Sequence, residues 1–441
     1  MRKGKKRPVP SCSVCGLTIP NIERPTLIRN LFLLGCVSIF TKLMVLFLTT
    51  SVFHSFVDLF DISVYFGYAM NVLNGQIPYI DFSVEYSFLF LIPVLIPLIP
   101  AMIANDASVY VAGFQVLMTF FDILTLFLVY LIGLRIFDSK RAFRAALLYA
   151  TAFAASYFIL TKYDSFPTFL LVLGTFAAVY GMPAKSYIST ILGFFTKVFP
   201  VIAVPYLVPF NASKTSLKTE IVTLLKVAAV CGAIFLIPMI LLVQDWYRPF
   251  LFATGTGVGV YANTVTYTLY NFIYVVLHIP VSEGIISLIM YILMIGVILL
   301  LIFVSWVKGV ENPRRLLVLI AATLFMVIFC TKFHSPQYLV WLTPFYALLL
   351  IDSLRNVLMF YLLQAVVYIE FPIAWGVLYV NRGYVNEIGT AGWYGSLAFF
   401  VVHAAVYLAS ILLILKSDPT LYDDTRSAVG QVVSRIRRRA G

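Results

Sequence analysis

The sequence predicts an all-α polytopic membrane protein, and three observations carry that expectation. Of 441 residues, 61% are hydrophobic and only 11% are charged, where a soluble domain carries about 25% charged residues. The mean hydropathy is +0.97, so no polar shell could cover a globule of this length. The apolar runs, such as Val227–Val243 and Ile285–Val304, are continuous and do not alternate. Backbone groups in lipid must be satisfied within each segment, by helices or by a closed barrel, and only the latter alternates.

Apolar runs of about 17–25 residues mark the spans. The first runs over Leu31–Phe53 and is too long for the core of a cleavable signal. Asp58 to Tyr86 is semi-polar, and Ile62, Tyr65, Phe66, Ala69, Val72 and Leu73 recur at a helical period, which predicts an amphipathic surface helix. Phe88–Ala104 is apolar but interrupted by Pro93, Pro97 and Pro100. If it crossed, the basic loop of Arg135, Lys140, Arg141 and Arg144 would fall outside, against the positive-inside bias. It is therefore expected to lie in the interface.

Later spans are expected at Val109–Leu134, Ala142–Leu160, Phe166–Tyr180, a proline-broken hairpin Ile188–Phe210, Ile221–Leu242, Gly284–Val307, Leu316–Thr331, Tyr338–Ile351, Val357–Val380 and Tyr394–Leu415. The total is about twelve transmembrane helices with two interfacial helices in the first outer loop. Three regions follow: a basic cytoplasmic tail at 1–29, a membrane domain at 30–416 and a second basic tail at 417–441.

The formal net charge of +12 resides largely in these tails and in short loops. That pattern places both termini in the cytoplasm and pairs the chain with anionic membrane lipids, with no nucleic-acid partner. Cys12 and Cys15 form a C-x-x-C without a second ligand pair, and no set of His, Asp and Glu stands at metal-ligand spacing; neither a metal nor a cofactor is expected. No internal repeat is apparent, which weighs against a transporter.

With the basic loops inside, the polar chemistry gathers on the non-cytoplasmic face. Asp58 and Asp61 directly follow the first span. Asp61 reads either as a helix N-cap or as a general base at the membrane surface, and the two roles are compatible. The segment Gly75-Gln-Ile-Pro-Tyr79-Ile-Asp81-Phe-Ser-Val-Glu85-Tyr86 offers flat aromatic faces and carboxylates, which suit a hydroxyl-rich sugar but also an interfacial belt. Lys162-Tyr163-Asp164 is a candidate ion-pair segment at a span end. Lys197 sits inside an apolar run, so it either snorkels or meets a phosphate at headgroup depth. Lys332, His334, Gln337 and Arg382 are further candidates for a phosphate or diphosphate, or else polar turns facing water. The loop Gln244–Glu283, with Gly255, Gly257 and Gly259, reads as a mobile lid.

Five segments taken together are distinctive: Asp61-Ile-Ser-Val-Tyr65, Gly75 to Tyr86, Tyr163-Asp164, Thr196-Lys-Val-Phe-Pro200 and Ser335-Pro-Gln-Tyr-Leu-Val-Trp341-Leu-Thr-Pro344. In order and spacing, over about residues 58–345, the chain resembles the C-type (GT-C) integral-membrane glycosyltransferases, and within them the group that uses polyprenyl-phosphate-mannose. It departs where the family often has Glu-Tyr-Pro-Pro and this chain has Glu85-Tyr86-Ser87-Phe88.

The resemblance implies a catalytic Asp in the first outer loop, Asp61 with Asp58 as the competitor, and two surface helices in that loop. It further implies an inverting hexosyltransferase in the plasma membrane or endoplasmic reticulum. The donor would be mannose on polyprenyl or dolichyl phosphate and the acceptor a glycan, glycolipid or protein. On this expectation Tyr65, Tyr79, Asp81, Glu85, Tyr86 and Asp164 contact the substrate. Lys197, helped by Lys332, His334, Gln337 or Arg382, holds the donor phosphate. The rival expectations are a flippase for a lipid-linked sugar and a ligase with a lipid-diphosphate donor.

Overall fold

The computed structural model describes residues 11–14, 16–52, 57–253, 259–261, 263–380 and 389–440. It is 79% helical. Among the described residues, seven helices are long and apolar enough to cross a membrane: 24–52, 107–136, 217–242, 283–308, 313–330, 354–374 and 391–416. The pair 139–150 and 153–161, bent by 54°, makes an eighth if taken as one span. The protein is a helical membrane protein. Large side chains such as Leu225, Leu241, Leu288 and Ile292 point outward and exposed, a surface that only lipid tolerates.

A short hairpin, β1 (Ser11–Val14) with β2 (Leu17–Pro20), precedes the first helix. Asn21 anchors it by donating from its side chain to Leu134 O and Phe137 O, at 2.9 and 3.1 Å. Helix α1 (Arg24–Phe47) starts earlier than expected, with Pro25 in its first turn, where a missing N–H costs nothing. Helix α2 (Phe60–Leu73) is the predicted amphipathic element and buries Ile62, Tyr65 and Ala69.

The proline-rich stretch breaks as its composition dictates, into a 3₁₀ turn at Phe88–Phe90, α3 (Leu91–Leu95) and α4 (Leu98–Ala104). Asn105, left-handed at φ 51°, ends α4, and Asp106 caps α5 (Ala107–Ile136) by accepting from Ser108 N. Asp138 likewise caps α6 (Ser139–Ala150), which α7 (Phe153–Thr161) follows. Helices α8 (Ser165–Val179) and α9 (Pro183–Phe194) pack closely, because Gly174 leaves room for Thr190: a Cβ there would lie 2.3 Å from Thr190 Oγ1.

Next come α10 (Val204–Ala212), α11 (Leu217–Cys231) and α12 (Ile237–Leu242). Among its described residues, the segment 244–283 holds two short α-helices, α13 (Arg248–Ala253) and α14 (Val265–Asn271). Then follow α15 (Glu283–Lys308), α16 (Pro313–Cys330), α17 (Leu339–Leu349), α18 (Leu354–Tyr368) and α19 (Ala391–Lys416). Helix α17 is buried along its whole length and packs against α5, α6, α7, α8 and α16. The C-terminal segment expected as a tail contains α20 (Thr420–Ala440). It docks through Arg315 Nη1–Asp424 Oδ2 at 2.5 Å and Lys308 Nζ–Ser427 Oγ at 2.9 Å.

Between α1 and α5 lies a buried polar network: Lys42 Nζ meets Asp122 Oδ2 at 2.5 Å and Ser38 Oγ at 2.8 Å, and Tyr149 donates to Asp122 Oδ1 at 2.6 Å. An ion pair inside a span persists only where each charge is matched in this way.

Candidate active site

The site forms where α2, the α7–α8 turn, the α9–α10 break and the turn before α17 converge. Asp58 and Asp61 stand at the start of α2. Asp61 does not cap α2, contrary to expectation: Leu59 is the N-cap residue and contributes no side-chain bond, while Asp58 Oδ1 accepts from Phe60 N at 3.0 Å just ahead of the helix. Asp61 lies within the first turn, which leaves its carboxylate for other work.

The buried Lys162 holds both acids, with Nζ 2.7 Å from Asp58 Oδ2 and 3.2 Å from Asp61 Oδ1. The Lys162-Tyr163-Asp164 segment therefore makes ion pairs, but with distant elements instead of internally. Burial pushes the Asp61 carboxyl above the usual range; Lys162 pulls it back, Asp58 raises it, and Lys197 lowers it slightly. Tyr65 completes the first ring of contacts, with its hydroxyl 3.4 Å from Asp61 Oδ2.

Lys197 falls in the break between α9 and the 3₁₀ turn Phe199–Ala203. Gly193 permits this tight return, because a Cβ there would come within 2.8 Å of Pro200. The lysine meets a fully buried carboxylate, Asp164 Oδ1, at 2.8 Å. The same oxygen accepts from Trp341 Nε1 at 2.5 Å, and Asp164 Oδ2 has no hydrogen-bond partner.

Four rings box Lys197 Nζ, with centroids at 4.8 Å for Tyr163, 5.2 Å for Trp341 and 5.5 Å for both Tyr86 and Tyr338. Trp341 is itself stacked between Phe199 and Tyr338, each at 3.9 Å. Neither a snorkelling lysine nor a lone one is found, since carboxylate and rings meet its charge within the site.

The remaining candidates divide. Tyr86 joins the box. Tyr79, at φ 69°, serves the loop: its hydroxyl donates to Tyr86 O at 2.8 Å and so positions that box residue. Asp81 also serves the loop, accepting from Ile77 N at 2.6 Å. Glu85 is exposed at the rim, and partial desolvation followed by the charge of Asp61 raises its carboxyl. Lys332 O accepts from Tyr261 N at 2.9 Å, which ties the segment 259–261 to this turn. Gln337 is buried beside the box residue Tyr338. Arg382, Gly255 and Gly257 lie outside the described residues, as does Cys15.

His334 does not join the phosphate candidates. It turns inward to Glu370 and His403, with Nε2 3.7 Å from Glu370 Oε1. Burial holds its imidazole down at about 4, against the charge of Glu370. Glu370 and His403 were not anticipated as functional, although an ionisable residue inside an apolar run was the available signal. Lys42 and Asp122 carried the same signal.

Compared with known proteins, the chain matches no family model and no curated sequence.

Proposed function

We propose that the protein is an inverting glycosyltransferase that moves a hexose, mannose by resemblance, from a polyprenyl-phosphate or dolichyl-phosphate carrier to an acceptor hydroxyl on the non-cytoplasmic face. One observation carries this reading. A carboxylate, Asp61, held by Lys162 and Tyr65, and a lysine walled by aromatic rings, Lys197, belong to one cluster joined through Tyr65 and Tyr163, whose ring centroids are 5.9 Å apart.

In this reading Asp61 accepts the acceptor's proton as the hydroxyl oxygen bonds to the anomeric carbon. The bond from that carbon to the phosphate oxygen breaks, and its electron pair leaves with the carrier phosphate. The raised affinity of Asp61 for a proton suits a base more than a spectator. Lys197 meets the charge that builds on the departing phosphate, and the box keeps that charge in a low-dielectric setting. Tyr65 and Lys162 hold Asp61 in place. On this topology α2 and Phe88–Ala104 lie in the interface and both termini are cytoplasmic. The shorter apolar helices 165–179 and 199–212, with α9 and α17, bring the crossings toward about twelve.

The test is transfer by purified protein in nanodiscs, with radiolabelled polyprenyl-phosphate-mannose and an acceptor extract of membrane lipids and glycans. Label in a new product with the unaltered protein, absent with Asp61→Asn, supports the reading. Full activity of Asp61→Asn removes Asp61 from the chemistry. Folded protein that fails with every lipid-monophosphate sugar, yet moves a lipid-linked sugar across a bilayer, replaces the reading with a flippase. Turnover of a lipid-diphosphate donor alone makes it a ligase.

A further inference from the structure

We infer that His334, Glu370 and His403 form a binding site for one divalent first-row transition-metal ion, with zinc the best fit to the donor set. The three residues come from separate elements: the turn between α16 and α17, the kinked segment after α18, and the middle of α19. All are buried, at 3%, 1% and 3% exposure. One ligand atom from each lies within 4.8 Å of the other two. His403 Nε2 is 3.0 Å from Glu370 Oε2, and His334 Nε2 is 3.7 Å from Glu370 Oε1. Bonds of about 2.0–2.1 Å to a tetrahedral zinc hold its ligands roughly 3.4 Å apart, between these two separations. Two imidazoles and one carboxylate are also a ligand set that zinc takes in proteins.

The hydrogen bonding points the same way. His334 Nε2, His403 Nε2 and Glu370 Oε2 lack hydrogen-bond partners, and the 3.0 Å contact between the last two does not have hydrogen-bond geometry. Asn263 Oδ1 and Tyr407 Oη are also buried and unpartnered. Asn263 and Tyr407 line one small cavity with His334 and His403. Buried polar atoms are normally satisfied, so unpartnered atoms at one spot call for an occupant that accepts lone pairs. Asn263 Nδ2 meanwhile donates to Glu370 Oε1 at 2.6 Å and orients the carboxylate, the outer-shell support that ligating carboxylates have.

The ion would pin the outer turn to the last membrane helices. His334 is four residues before Tyr338, a wall of the Lys197 box, and Asn263 belongs to the loop that meets Lys332 through Tyr261. Its role is therefore to position that wall, and the inference stands apart from the transferase reading.

The experiment uses full-length protein in detergent with Cys12 and Cys15 replaced by Ser, stripped by a chelator and titrated with Zn²⁺ or Co²⁺. The expected result is about one ion per chain, an upward shift of the thermal midpoint, and visible absorption bands for Co²⁺. Glu370→Gln and His403→Gln should each abolish uptake, and substitution of a histidine outside the cluster, His278→Gln between α14 and α15, should leave it intact. Monodisperse protein that takes up neither ion overturns the inference without recourse to variants. Undiminished uptake by folded Glu370→Gln or His403→Gln overturns it equally.

Discussion

Replacing Lys162 by methionine isolates the central charge of the candidate site. The side chain is 6% exposed and bridges two carboxylates that each keep 22% exposure. Removing one partner of a buried ion pair costs about 3–5 kcal/mol. The residual access of water to Asp58 and Asp61 places the loss near the lower figure, at roughly 3 kcal/mol at neutral pH.

The pH dependence follows from the sign of the Asp61 shift. Its carboxyl is already raised in the folded protein, by burial above all, and Lys162 is the largest influence holding it down. A carboxyl raised on folding binds more protons in the native state than in the unfolded one. Stability is therefore highest below the unfolded value and falls as pH rises through the folded value. Without Lys162 that upper limit moves higher, so the variant should regain stability on acidification from neutral pH over a wider span than the unaltered protein.

The assay is thermal unfolding in detergent, followed by intrinsic fluorescence as the pH is lowered from neutral, with Asp61→Asn as a second substitution. Asp61→Asn should recover part of the loss, since it removes one stranded charge. A variant with an unchanged midpoint at neutral pH and no recovery in acid would refute the reasoning.

Other substitutions test the remaining parts. Asp61→Asn should lower transfer by about 10²–10⁴-fold, the usual contribution of a general base, and leave retention of the lipid-phosphate donor on the protein unchanged. Trp341→Phe keeps a ring beside Lys197 but removes the indole donor to Asp164. Loss of a hydrogen bond to a charged group costs about 1.5–3 kcal/mol, read as a lower midpoint together with slower transfer. Lys42→Met should destabilise by about 3–5 kcal/mol, whereas the joint change with Asp122→Leu should restore most of it, as measured by denaturation in detergent. Gly174→Ala forces Thr190 aside and should cost about 1–3 kcal/mol in the same assay.

Much was legible in the sequence because it depends on local chemistry. The apolar runs fixed the class. Prolines placed the breaks in Phe88–Ala104, and the period of Ile62, Tyr65 and Ala69 oriented α2 toward the core. The cysteine and histidine spacings, by contrast, held no trace of the proposed metal ligands, since His334, Glu370 and His403 belong to three different elements.

Residue chemistry along the chain by itself determined a helical membrane protein and the segments between apolar runs that carry many of its ionisable groups. Only the tertiary structure decided how those groups pair. Lys162 reaches back to Asp58 and Asp61, Lys197 reaches Asp164, and His334 turns away from both. The physical reason is range: helix and span signals come from neighbours within a few turns, whereas a buried charge is satisfied by whichever distant element packing brings within about 3 Å.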